Sequence, residues 1–352
     1  MAIILNAMTS FPEFRITQEE IKNLLISRWP LKSDYIEKLS LSSCIQGRNL
    51  TLPLNYYQDL VGLGKKNIIW KAEALKLQKE NIKALLEDSK INISDIALIV
   101  SATTSGLMTP SVENLIINEF GFSPETMRIP LFGLGASAAI SGINLINEYL
   151  LSHPDRAAIL MVTELCSLSF QINENKDSSI SNMISFGDGA GAILMVGKNH
   201  VLAKNKGFEV MEGLSFLLPE SEQAIKLDIT DNGFEIFYSS EIPKLVKEHL
   251  KSKMNLFLSK FKLTHEDINY FIAHPEAPCI LETIAQELNF SNDKFALSWK
   301  SLSTRGNIPG VSFLQVLEET MTSADIAPGC LGLMISMGPG FSLEFCLIKK
   351  SV

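Results

Sequence analysis

Features that would direct this chain to a nucleic acid or a membrane are missing from the sequence. It has 31 lysines and arginines against 39 aspartates and glutamates, a formal net charge of −8, and the two signs are interspersed without a basic block. A nucleic-acid surface is therefore not expected as the main function, and an anionic ligand would need a local basic patch. No segment reaches the roughly 18 uninterrupted apolar residues of a membrane-spanning helix, so no membrane association is expected.

Cysteine is scarce and unpatterned. The 352 residues include five cysteines, without a Cys-x-x-Cys pair or metal-ligand spacing. Scattered cysteines in apolar runs are typical of reduced, buried thiols, and we predict no metal site. The first residues also lack the cationic start and apolar core of a secretion signal. Both observations favour the cytoplasm.

Apolar runs alternate with amphipathic stretches along the chain. Continuous apolar runs bounded by turn residues predict strands buried on both faces; the clearest are Ile96–Ser101, Ala157–Thr163, Ala190–Val196, Asn269–Ala273, Cys330–Ser336 and Phe341–Ile348. Helical periodicity between them predicts helices, for example Val112–Glu119, Ile143–Leu151 and Ile280–Leu288. This alternation indicates the α/β class, with a mostly parallel sheet covered by helices.

The chain also repeats itself. Residues 95–106 align with 267–278, residues 134–142 with 305–313, and residues 157–165 with 330–338, at offsets of 171 to 173 residues. So steady an offset indicates an internal duplication, and we divide the chain into halves 1–205 and 206–352. A twofold duplication places equivalent loops against each other, so Ala136 and Asn307 should face one site, with His274 beside them.

Five motifs occur in a definite order. They are GLGASAA at 133–139, FGDGA at 186–190, AHP at 273–275, RGNI at 305–308 and MGPGF at 337–341. Together they resemble the signatures of type III polyketide synthases. PLFGLG at 130–135 and ELCSL at 164–168 are similar to the bacterial branch, which includes alkylpyrone and alkylresorcinol synthases. The likeness runs from about Ile3 to the C-terminus, and its histidine–proline pair favours this family over ketosynthase III.

The resemblance implies a thiolase-like αβαβα fold made of two duplicated halves. It implies a decarboxylative Claisen condensation of an acyl-CoA starter with malonyl-CoA, two substrates that require no further cofactor. It also implies a homodimer, because family members contact each other near the position of Thr109.

The same resemblance assigns roles to individual residues. His274 and Asn307 would donate hydrogen bonds to the thioester oxygen of malonyl-CoA and stabilise the enolate that decarboxylation leaves. Phe186 would be the gatekeeper between the coenzyme tunnel and the cavity, with an ordinary core phenylalanine as the alternative. Gly338, Pro339 and Gly340 would form a cavity-lining turn. Arg48 matches a coenzyme-binding position at the tunnel mouth, although a solvated surface arginine fits it better.

Ala136 stands where the family has its catalytic cysteine. Condensation needs a thiolate to hold the growing chain, and a methyl group cannot replace it. Either the cysteine was exchanged for alanine by design, or the gene itself encodes alanine. The intact His274 and Asn307 favour the first explanation, which we adopt. Ser137 is a poor substitute nucleophile, because a helix turns its side chain about 100° away from that of its neighbour.

Further departures from the family pattern favour natural divergence. Glu276 follows His-Pro where glycine is common, Pro309-Gly310 replaces a serine pair, and Leu227 stands at a position often occupied by glycine. Two other functions therefore stay open. The chain is then an acyl-CoA-binding partner subunit, or a malonyl-thioester decarboxylase that uses only His274 and Asn307.

Overall fold

The computed structural model describes residues 1–204, 207–323 and 326–351. Within them the strands form one nine-stranded sheet and two two-stranded sheets. The strands are β1 (Ala2–Ser10), β2 (Phe14–Thr17), β3 (Gly47–Leu50), β4 (Ile96–Thr103), β5 (Met127–Phe132), β6 (Ala157–Leu165), β7 (Asp188–Gly197), β8 (Phe208–Leu217), β9 (Ile225–Thr230), β10 (Gly233–Tyr238), β11 (Tyr270–Ala273), β12 (Leu331–Gly338) and β13 (Ser342–Lys350).

Helices pack on both faces of the large sheet. They are α1 (Gln18–Arg28), α2 (Ser33–Ser42), α3 (Leu63–Ser89), α4 (Val112–Phe120), α5 (Ala138–Ser152), α6 (Asp177–Ser185), α7 (Ile242–Ser259), α8 (Pro278–Glu287), α9 (Ala296–Arg305) and α10 (Val311–Thr322). All six predicted strands and all three predicted helices are confirmed, with ends that move by five residues at most. No helix in the described ranges is long and apolar enough to cross a membrane.

Strand pairing repeats between the two halves, as the internal alignment predicted. The large sheet has the order β11-β12-β13-β8-β1-β7-β6-β4-β5. The parallel pair β4–β6 corresponds to the parallel pair β11–β12, and the antiparallel pairs β6–β7 and β7–β1 correspond to β12–β13 and β13–β8. The halves meet where β1 pairs antiparallel with β8. The predicted boundary at residue 205 lies outside the described residues.

The prediction of a mostly parallel sheet is wrong. In the described part of the large sheet three neighbouring pairs are parallel and five are antiparallel. Parallel pairing requires a long crossover connection, and only β4, β5, β6, β11 and β12 are joined in that way. The last strand of each half instead returns antiparallel beside its predecessor. A strand buried on both faces is continuously apolar in either case, so the pattern does not reveal direction.

Three separate apolar cores show the layers of the fold. The middle core surrounds α5 and α10 and includes Leu98 and Leu160 from the first half and Met334 and Ile348 from the second. The opposite faces of the first-half strands pack in a second core with α3 and α4, and those of the second-half strands in a third core with α7 and α8. The strands of the first half and those of the second half thus form two β layers that are continuous through the β1–β8 pairing. Helix, sheet, helix, sheet and helix alternate, which confirms the αβαβα prediction.

Candidate active site

Ala136 lies in a short 3-10 turn, Gly135–Ser137, that leads directly into α5. Small residues at the start of α5 allow its first turn to enter the middle core: Ala138 and Ala139 are fully buried there. The Ala136 side chain lines a cavity of about 300 Å³, here called the first cavity. Ser137 does not line it, because its hydroxyl donates to the carbonyl of Leu134 at 2.7 Å. Ser137 is thus no substitute nucleophile.

His274 and Asn307 lie in direct contact. The strand β11 ends one residue before His274, and the backbone N–H of His274 donates to the carbonyl of Ile335 in β12 at 3.0 Å. The ring Nε2 is 3.1 Å from the side-chain oxygen of Asn307. Because an amide oxygen only accepts hydrogen bonds, Nε2 carries the hydrogen. Burial lowers the pKa of His274 to about 4, so the ring is neutral at pH 7.

The backbone of Asn307 is fixed to the turn that carries Phe186. The N–H of Asn307 donates to the carbonyl of Ser185 at 2.9 Å, and the N–H of Gly187 donates to the carbonyl of Asn307 at 3.1 Å. Gly306 has a φ of 72°, and a Cβ there would lie 2.7 Å from the carbonyl oxygen of Ser185. Only glycine allows this approach. The glycine–asparagine motif thus places Asn307 beside Phe186.

The Gly338-Pro339-Gly340 turn packs against the turn of Ala136. A Cβ at Gly338 would lie 2.4 Å from the Ser137 hydroxyl oxygen and 2.5 Å from the Leu134 carbonyl oxygen. All three residues of this turn line the first cavity.

A second cavity, of about 350 Å³, lies beside the first. Phe186 and Asn307 line this second cavity, whereas Ala136 lines the first. Tyr238 and Glu276 line both cavities. The two cavities therefore meet at these two side chains, and Phe186 lines only the second of them.

Comparison with known proteins shows the family to which the chain belongs. Residues 32–212 match the family model "FAE1/Type III polyketide synthase-like protein", and residues 209–352 match "Chalcone and stilbene synthases, C-terminal domain". The chain belongs to the type III polyketide synthase family.

Individual relatives cover almost the whole chain. A 1,3,6,8-tetrahydroxynaphthalene synthase of Streptomyces peucetius subsp. caesius is 30% identical over 97% of this chain and 91% of its own length. A putative chalcone synthase of Bacillus subtilis is 31% identical over 99% of both chains. The crystal structure of 1,3,6,8-tetrahydroxynaphthalene synthase from Streptomyces coelicolor A3(2) is 25% identical, covers 99% of each chain, and superposes with a TM-score of 0.94.

The position of Arg48 corrects what the sequence suggested for it. Arg48 is completely buried, so it is neither a surface arginine nor a residue at a tunnel mouth. Its guanidinium donates to the carbonyls of Ile184 at 2.6 Å and Phe186 at 3.3 Å, and it also contacts Gln18. Burial lowers its pKa to about 9, an effect that nearby Asp188 opposes. Arg48 therefore stabilises the Phe186 turn from within and is out of reach of a coenzyme.

Three side chains around the cavities are not among the predicted site residues. The side chain of Asn307 interacts with the hydroxyl of Tyr238, whose pKa is raised well above its usual value by its dense surroundings although 37% of the residue is exposed. Glu276 departs from the family pattern, and its sequence context alone assigns it no role. Cys279, the second residue of α8, lines the second cavity and is exposed overall, and partial removal of its thiol from water raises the pKa of the thiol.

The second cavity has one carboxyl group in its lining, that of Glu276. No lysine or arginine is among the described residues that line it, and its small polar members are four serines and two asparagines: Ser181, Asn182, Ser185, Ser239, Ser240 and Asn307. In the described ranges no group of three or more histidine, cysteine, aspartate or glutamate side chains is arranged to hold a metal ion.

Proposed function

We propose that this chain binds malonyl-CoA and performs the decarboxylation step of polyketide synthesis, without retaining an acyl group. The observation that supports this is the contact between His274 and Asn307, with Asn307 lining the second cavity and Ala136, at the nucleophile position, lining the first cavity beside it. Decarboxylation needs only hydrogen-bond donors for the enolate oxygen, whereas chain transfer needs a thiolate.

His274 and Asn307 have different roles in this arrangement. The neutral His274 ring donates its only N–H to the oxygen of the Asn307 amide. This bond orients the amide, so that its NH₂ group is available to Tyr238 or to a thioester oxygen in the second cavity. Asn307 is then the donor that contacts the substrate, and His274 is a positioning residue in this state.

Incubation with malonyl-CoA labelled in its free carboxyl group tests the proposal. We expect release of labelled CO₂ and formation of acetyl-CoA, with no change in the intact mass of the protein. Asn307→Asp removes the donor and should lower the rate about 10²–10³-fold, as loss of one oxyanion-hole donor does. Asn307→Leu tests the same loss without a new charge. CO₂ release no faster than in buffer would contradict the proposal and favour the partner-subunit function.

We also propose that the chain forms a homodimer through the open edge of the large sheet. The strand β5 is the last strand on that side. Met127, at its start, is 49% exposed, and Leu107, near Thr109, is 40% exposed. An exposed edge strand with apolar side chains readily pairs with a second copy.

Sedimentation at micromolar concentration should give twice the 38.9 kDa of one chain. Met127→Lys should shift the protein toward the monomer, because a charge on an edge strand opposes pairing. Leu256→Lys is the matched control, since Leu256 is 61% exposed on α7, away from this edge. A monomeric unmodified protein, or equal behaviour of the two variants, would contradict the proposal.

A further inference from the structure

Glu276 is a buried carboxyl group without a counter-ion among the residues that the structure describes. The residue is 6% exposed, and among those residues its Oε1 has no hydrogen-bond partner. Burial alone raises its pKa to about 8. At pH 7 most of the molecules therefore carry Glu276 as the neutral acid, which is able to give up a proton.

The position of Glu276 connects it to both parts of the site. It lines the second cavity together with Asn307, and the first cavity together with Ala136. A malonyl thioester whose oxygen contacts Asn307 has its methylene carbon two bonds away from that oxygen. Because Glu276 lines the same cavity as Asn307, its carboxyl group is among the side chains that surround a thioester bound there.

The groups around Glu276 leave its charge uncompensated. Tyr238 of β10 and Cys279 of α8 both have their pKa values raised further by a negative charge on Glu276. The neutral His274 lies two residues before it. Lys226 also lines the first cavity, but it is paired with Asp228 at 2.7 Å. Glu222 is an exposed residue of the same cavity and adds a like charge.

We infer that Glu276 is the acid that protonates the enolate, which makes the site a complete malonyl-thioester decarboxylase. This inference rests on the proposed function. Cleavage of the carbon–carboxylate bond releases CO₂ and leaves the electron pair in the enolate held by Asn307. The Glu276 O–H bond then breaks, a C–H bond forms at the former methylene carbon, and the products are CO₂ and acetyl-CoA. The Glu276 carboxylate recovers its proton from water.

The absence of a thiol at position 136 explains why the enolate is protonated rather than condensed. In a condensing site the enolate carbon attacks an acyl group on the cysteine. With Ala136 there is no acyl group to attack, and a proton is the remaining electrophile. Glu276 would act as an acid rather than as a hydrolytic base, because a carboxyl group with a pKa of about 8 is mostly protonated at pH 7.

The first measurement is the rate of acetyl-CoA formation from malonyl-CoA between pH 6 and 9.5. The unmodified protein should lose activity about tenfold per unit above pH 8. Glu276→Gln keeps the shape but not the acidic proton, and it should be 10–100-fold slower without this break. Glu276→Asp should restore part of the rate and also the loss of activity at high pH. Glu344→Gln is the matched control, because Glu344 is also buried, has a pKa of about 7, and lines neither cavity.

The second measurement is the stereochemistry of protonation with methylmalonyl-CoA in D₂O. An acid on one side of the enolate should give mainly one enantiomer of 2-deuteropropionyl-CoA, and Glu276→Gln should give nearly equal amounts of both. Unchanged enantiomeric excess and rate in Glu276→Gln would overturn the role of Glu276. If methylmalonyl-CoA is not turned over, the pH profile decides. Failure of the proposed function looks different, because then even the unmodified protein releases no CO₂.

Discussion

Ala136→Cys should convert a chain that retains no acyl group into one that carries one acyl group per polypeptide. The change adds a single sulfur atom to a side chain that lines the first cavity. The new thiol lies in the turn before α5, where the partial positive charge of a helix N-terminus favours a thiolate. After incubation with an acyl-CoA, the intact mass should rise by the mass of the acyl group. Addition of malonyl-CoA should then yield polyketide.

The experiment should be done in a Cys279→Ser background, because Cys279 is an exposed thiol in the neighbouring cavity. Peptide mapping then has to place the acyl group on residue 136. The parent with Cys279→Ser alone is the control and should stay unmodified. If Ala136→Cys also stays unmodified, Tyr238→Ala should be added, because Tyr238 lines both cavities. Acylation only after that change would locate the block at Tyr238. No acylation in either protein would contradict the exchanged-cysteine explanation.

Most of the fold prediction depended on the internal repeat. Its three aligned segments correspond to β4 and β11, to α5 and α10, and to β6 and β12. Because each pair occupies the same place in its half, the loops before α5 and α10 meet at the centre. The approach of Gly310, before α10, to the turn before α5, where a Cβ at Gly310 would lie 3.8 Å from the carbonyl oxygen of Gly135, therefore follows from the duplication of the sequence.

Other features depend on contacts that periodicity does not encode. The direction of β7 and β13 depends on how each half closes, while their sequences are apolar in either direction. A surface position is the ordinary expectation for an arginine such as Arg48, and only the carbonyls of Ile184 and Phe186 explain its burial. Tyr238 lies at the end of a hairpin with partly polar strands, and the sequence has no signal that its hydroxyl reaches Asn307.

The buried carboxyl group of Glu276 should make the protein less stable as the pH rises. Its pKa is about 8 in the folded protein against an ordinary value of 4.5. Below pH 4.5 the group is protonated in both states and has no effect. Between pH 4.5 and 8 the unfolded chain releases the proton and the folded chain keeps it, so folding becomes less favourable. One unit of pKa shift corresponds to about 1.4 kcal/mol, and the accumulated loss at pH 8 is on the order of 3–5 kcal/mol.

Glu276→Gln should remove this decrease in stability with rising pH. The variant carries a pH-independent cost of about 1–3 kcal/mol if its buried amide stays unpaired, so the informative quantity is the change in relative stability with pH. We expect the free energy of unfolding of Glu276→Gln, measured by urea denaturation, to rise relative to the unmodified protein from pH 5 to 8 and then level off. In Glu344→Gln the same rise should end nearer pH 7, because the pKa of Glu344 is about 7. The lowered pKa of His274 has the opposite effect, because it decreases the free energy of unfolding as the pH falls below 6.5. All three proteins contain His274, so this effect cancels when their stabilities are compared. A difference that does not change with pH would mean that Glu276 is ionised in the folded chain, and an ionised Glu276 has no proton to give to an enolate.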